Sequence, residues 1–235
     1  MARLLDVAGS LIASPVPVLL PDTCALLDVL RTPMPGREVS ATHLSSVNRV
    51  ARATAAAPPA AAIVSASIIR KEFADHAEQE ERNLDAHLRR LQAPVTEFYT
   101  ACIAAGIPNN PAPVLDGSIL PASLRSLAQF LIDHSTTIDH EQLFLSRAYQ
   151  RAIDRRRPAK NGQIKDSVMT EEYLELARQL RQGGFSRPLV FISSNPSDFC
   201  SGAGRLLHPD LAGGLAAVGL DFCMHWPAAV RLLHL

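Results

Sequence analysis

Short unbroken apolar runs alternate along this chain with longer stretches in which apolar residues recur at helical spacing. The first run, Pro15 to Leu20, carries β-branched Val16 and Val18 between prolines and predicts a short buried strand. It ends at Asp22, and Asp22-Thr23 also makes an N-cap for a helix through Ala25 to Leu30. A Pro-, Gly- and Ala-rich segment follows, whose middle, Ser40 to Thr54, has helical character. Ala61 to Ser67 predicts a second strand, which leads directly into the amphipathic helix IIRKEFADHAEQEERNLDAHLRRLQ. From Asp85 to about Arg157 the pattern predicts no strand. It shows helical stretches, Val95 to Ala105 and Leu120 to Arg157, around the loop GIPNNPAPVLDG, which together read as a helical insertion at about 85–157. DSVMTEEYLELARQLRQGG is then a helix with a Gly183-Gly184 stop, and Pro188 to Ser194 the clearest strand. The tail repeats the unit: HPDLAGGLAAVG a weak helix, LDFCMH a strand, WPAAVRLLHL a terminal helix.

Strands alternating with helices predict a three-layer α/β/α fold around a central parallel sheet. A length of 235 residues, 47% of them hydrophobic, suits a single domain over 1–235 that carries the insertion. The four cysteines, Cys24, Cys102, Cys200 and Cys223, form no CxxC pair, which excludes a zinc ribbon or dithiol motif and fits reduced thiols and a cytoplasmic location. Asp6, Pro15 and Pro17 interrupt the apolar N-terminus, and no stretch is long enough to span a membrane, so neither a signal peptide nor a membrane partner is expected. Lys+Arg 23 against Asp+Glu 23 leaves no net charge, so any nucleic acid must be held by local features rather than bulk electrostatics.

In parallel α/β folds ligands bind beyond the carboxyl ends of the strands. Four acids fall there: Asp22 after the first strand, Glu72 one turn into the helix after the second, Asp166 opening a later helix, and Asp198 after the Pro188 strand. Singly, each reads as a cap, a solvated helix residue or a loop turn. Jointly they read as a clustered acidic site, which needs a cation to offset its repulsion and whose oxygen donors suit Mg²⁺ or Mn²⁺.

The segments LLPDTCALLDVL, IVSASIIRKEF, KDSVMTEEYLEL and FISSNPSDF resemble, in order, the four motifs of PIN domain ribonucleases. The last is the most specific, with Ser193, Asn195, Asp198 and Phe199 matching in spacing and type. The resemblance implies an elaborated PIN-like protein whose Asp22, Glu72, Asp166 and Asp198 bind Mg²⁺ or Mn²⁺ and hydrolyse RNA phosphodiesters. Thr23, Ser193 and Asn195 would orient these carboxylates. Glu171, five residues after Asp166, does not share its helix face securely and reads as a surface residue or one that supports the acids from behind rather than as a fifth site acid. An antitoxin or another protein partner, a toxin or regulatory role and a homodimer stay open.

The basic run RRRPAKNGQIK abuts the third acid, making Arg155, Arg156, Arg157, Lys160 and Lys165 candidates for phosphate contacts, with Arg147 and Arg151 on the same helix face. The alternative reading is a solvated helix terminus. His134, Asp139, His140 and Glu141 are read as surface residues, the Glu78 to Arg82 face as solvent-facing, and SGAGRLLHP as a turn. The rival functions are a structure-selective DNA nuclease and an inactive PIN-like scaffold that binds a partner through the insertion.

Overall fold

In this computed structural model, residues 2–33, 41–107, 119–159, 164–202 and 206–235 are described. Along the chain these form α1 (Leu4–Ala13), β1 (Val18–Pro21), α2 (Thr23–Arg31), α3 (Ala41–Ala55), β2 (Ala62–Ser65), α4 (Ile69–Ala104), α5 (Ile119–Asp133), β3 (Ser135–Thr137) and α6 (Gln142–Ile153). Then come α7 (Lys165–Gln182), β4 (Leu189–Ile192), α8 (Pro196–Phe199), β5 (Cys200–Ser201), β6 (Leu206–Leu207), α9 (Pro209–Ala217), β7 (Asp221–Cys223) and α10 (Trp226–Leu232). Lys160, most of the GIPNNPAPVLDG loop and the tip of the SGAGRLLHP turn lie outside the described residues.

Five strands pair in parallel in the order β3-β2-β1-β4-β7. Val18, Leu19 and Leu20 of β1 and Leu189, Val190 and Ile192 of β4 have no exposed surface. That burial on both faces is why these strands read as unbroken apolar runs. Helices α1 and α6 pack on α7, while α2 packs on α4 and α5, and α3 on α5 and α10. The chain moves outward from β1 through β2 to β3 and returns to the other side of β1 with β4, so the strand order reverses between β1 and β4. Such a reversal leaves a crevice at the carboxyl edge of the sheet.

Three expectations are corrected here. The region read as a strandless insertion contains β3, which pairs with β2 through Ile63, Val64 and Ser65 and forms an edge of the main sheet. Its sequence, STT, is polar because an edge strand is half covered, and Ser65 hydroxyl bonds to Ser135 and Thr137 knit it in place. The boundary at Asp85 also falls inside α4, which runs without a break through Pro94 to Ala104. The Glu78 to Arg82 face is likewise not wholly solvated, since Glu80 pairs with Arg31 of α2.

One buried side chain ties the site-bearing ends of two strands together. Tyr173 of α7, fully buried, donates its hydroxyl to Pro21 O (2.6 Å) at the end of β1 and accepts from Ala66 N (3.1 Å) just past β2. Tyr173→Phe keeps the ring packing against Phe191 but breaks both bonds. We expect it to lower stability by about 1–3 kcal/mol, the cost of leaving buried backbone groups unsatisfied, as read by urea unfolding. A change within error would mean that the strand ends hold without this clamp.

Candidate active site

The carboxyl edge at the reversal point assembles the acids from four separate parts of the chain. Asp22 follows β1 in extended conformation, its amide donating to Ile192 O of β4 (2.8 Å). It stands at the N-cap position of α2, yet its side chain makes no capping hydrogen bond. Instead its Oδ2 accepts from Ser193 Oγ at the end of β4 (2.6 Å), and the carboxylate is only 2% exposed. Burial raises the Asp22 pKa to about 6, against the lowering influence of the Ser193 hydroxyl and the Cys24 amide, while the charge of Glu72 adds to the rise.

The other acids are held in the same style. Glu72, in the first turn of α4, accepts from Thr23 Oγ1 (2.9 Å) on one oxygen and faces Lys165 Nζ (3.2 Å) with the other. Asp198, in α8, accepts from Asn195 Nδ2 on Oδ2 (2.6 Å). The buried Phe199 beside it seats α8 by an edge-on contact with Phe191 (5.2 Å). Thr23, Ser193 and Asn195 therefore each hold a different acid.

Asp166, in the first turn of α7, differs from these three. Among the described residues its carboxylate has no hydrogen bond or ion pair. Its pKa is raised to about 7, first by burial and then by the charges of Asp22, Asp198 and Glu72, with Lys165 opposing. A cavity of about 420 Å³ opens here, lined by Glu72, Ile164, Lys165 and Asp166. Nearby, Ser167 Oγ, Ser194 Oγ and Arg157 Nε are buried without a hydrogen-bond partner among the described residues. The candidate donors themselves, carboxylate oxygens only, fit a hard divalent cation that keeps part of its hydration shell. In the conformation described, no three His, Cys, Asp or Glu residues already form a ligand set, and two of the acids face internal cations, Asp198 with Arg157 Nη1 (3.8 Å) and Glu72 with Lys165.

Several residues singled out in the sequence lie elsewhere. Glu171 does not join the acids, because it is buried in an ion pair with Arg151. Arg147 is engaged with Glu175 (3.1 Å), so both α6 arginines are spent on anchoring α7. Arg155 and Arg156 are exposed, whereas Arg157 turns inward. Lys165 is mostly exposed and reaches back to Glu72. His134 is exposed and stacks on Phe130 (3.7 Å between centroids).

Sequence reasoning passed over Glu172, which is fully buried and holds the exit of β2 by accepting from Ser67 N (2.9 Å) and Ser67 Oγ (2.8 Å). His140 Nδ1 lies 3.5 Å from Glu172 Oε1. The signal was the doublet Glu171-Glu172 itself, since one step around a helix turns a side chain by about 100° and sends the two acids to different surroundings.

Among the described residues no helix is long and apolar enough to cross a membrane. Compared with protein-family profiles, curated proteins and solved structures, the chain matches none of them.

Proposed function

We propose that this chain is a metal-dependent PIN-like endoribonuclease that uses Asp22, Glu72, Asp166 and Asp198 to hold Mg²⁺ or Mn²⁺ against an RNA phosphodiester. The observation that carries the reading is the setting of Asp166: a carboxylate with no hydrogen bond or ion pair among the described residues, raised first by burial and then by the charges of Asp22, Asp198 and Glu72, which come from three other parts of the chain. The motif resemblance supplies the reaction class. Burial and the neighbouring charges disfavour ionisation of Asp22 and Asp166, so a divalent ion gains affinity by relieving them.

When bound, the ion would activate water and offset charge on the phosphorus oxygens. The chain's own groups would fix the geometry. Ser193, Thr23 and Asn195 hold one oxygen each of Asp22, Glu72 and Asp198, and the second oxygens of Glu72 and Asp198, which Lys165 and Arg157 face in the ion's absence, would pass from them to the ion. Asp166 is the acid free to move without breaking a bond.

The test is thermal melting of EDTA-stripped protein with Mn²⁺ or Mg²⁺ restored, beside cleavage assays on single-stranded RNA and on DNA. Metal-dependent stabilisation with RNA cleavage supports the proposal, and cleavage of DNA alone replaces the substrate. No metal response in either assay removes the nuclease reading in favour of a scaffold.

A further inference from the structure

Resting on the reading that the acids take a divalent cation, we propose that Arg157 is a built-in counter-cation for Asp198. The divalent ion displaces it, and the released guanidinium then binds the substrate phosphate, so that metal and phosphate bind cooperatively.

Arg157 is set apart from its neighbours by how it is held. Its main chain is clamped on both sides: its amide donates to Asp210 Oδ2 of α9 (3.1 Å), and its carbonyl accepts from Arg151 Nη1 (3.1 Å), which Glu171 fixes in turn. The side chain takes no part in that clamp. It is only 15% exposed, its Nε is buried with no partner among the described residues, and its ion pair is the long 3.8 Å approach of Nη1 to Asp198 Oδ1. A guanidinium is thus largely withdrawn from water, with its Nε buried and a single long ion pair, which is costly unless an anion completes it, and phosphate is an anion that this fork matches in bidentate fashion.

Asp198 explains the exchange. Its Oδ2 is committed to Asn195, so Oδ1 is the oxygen left for a cation, and Oδ1 is the atom that Arg157 faces. A divalent ion and the guanidinium compete for it. Once the ion holds Asp198, Arg157 loses its anion and gains a repelling neighbour. A phosphate arriving beside the ion restores its counter-charge. By linkage, phosphate then raises metal affinity by the same factor by which metal raises phosphate affinity.

The experiment is calorimetric titration of the EDTA-stripped full chain with Mn²⁺, with and without saturating adenosine 5′-monophosphate, a phosphate ester with no phosphodiester bond to cut. Wild-type protein is expected to gain about tenfold in Mn²⁺ affinity with the nucleotide, within the usual range of coupling between sites. Arg157→Ala should bind Mn²⁺ alone more tightly than wild type and lose the gain. Arg157→Gln, which keeps the apolar stem, serves the same purpose if the alanine variant melts early. No gain in wild type, or an equal gain in both variants, overturns the proposal. RNA cleavage with undiminished coupling in Arg157→Ala leaves the nuclease standing and removes this role for Arg157. Coupling that depends on Arg157 without any cleavage does the reverse, and a failure to bind Mn²⁺ removes both.

Discussion

Asp22→Asn is expected to abolish metal-dependent RNA cleavage, by about 1,000-fold or more, while raising the melting temperature of the metal-free protein at pH 8. The activity loss follows from removing a charged oxygen donor at the reversal point of the sheet, where loss of a residue that acts as part of a catalytic unit costs several orders of magnitude. The gain in stability follows from burial. Asp22 is 2% exposed and its pKa stands at about 6, so at pH 8 the folded protein carries an ionised carboxylate in surroundings that favour the neutral form. Set against an ordinary aspartate near 3.8, that difference amounts to about 3 kcal/mol at most. Asparagine keeps an oxygen to accept from Ser193 Oγ and carries no charge, so part of this is recovered, and each kcal/mol moves the midpoint of a chain this size by about 2–4 °C. Melting in EDTA beside a cleavage assay reads both effects. A large fall in melting temperature would make Asp22 a structural residue and leave the activity loss uninformative.

Asp22 and Asp198 stood out as candidates because each follows an apolar run, and Glu72 and Asp166 because each lies near the start of a helix. A carboxylate directly after VLLP or just past PLVFISSN cannot be solvated like a surface residue, and the parallel sheet brings those stops to one edge. Their partners were partly legible: Thr23, Ser193 and Asn195 are short polar residues next to the acids along the chain, and each bonds an acid in the structure. What the sequence could not show depends on contacts between distant elements. The pairing of Arg151 with Glu171, the inward turn of Arg157 toward Asp198 and the burial of Glu172 against Ser67 all join segments whose separation along the chain says nothing of their distance in space. β3 was missed for another reason. An edge strand of three residues, Ser135 to Thr137, carries no apolar run and no detectable alternation, and is made by its neighbour's hydrogen-bonding edge rather than by its own pattern.

The metal-free protein should lose stability as pH rises from about 4 to 7, and Mn²⁺ should restore more of it the higher the pH. Asp166 and Asp22 stand at about 7 and about 6 in the folded state. Both exceed the unfolded value near 3.9, so the folded chain holds these two protons more tightly. Below about pH 4 both states are protonated and the groups contribute nothing. Between there and pH 7 the unfolded state ionises first and is favoured progressively, and above 7 the penalty is constant. Glu175 behaves oppositely in a separate window. Its pKa is lowered to about 2, chiefly by the hydrogen bond from Arg178, so its contribution is present above about pH 4.5 and fades as pH falls toward 2. Glu175 gains up to about pH 4.5 while the two aspartates begin to cost near pH 4, which places the maximum set by these three groups in the EDTA-treated protein near pH 4. A divalent ion must displace the protons on Asp22 and Asp166 to bind, so its affinity should climb by up to about 100-fold per pH unit below 6 and level off above 7. Denaturant unfolding from pH 4 to 8, with and without Mn²⁺, measures both trends. Asp166→Asn separates the site from the chain's histidines, since subtracting its profile removes every titration the two proteins share. Identical slopes for wild type and Asp166→Asn, or a metal effect independent of pH, would show that these acids do not share one field.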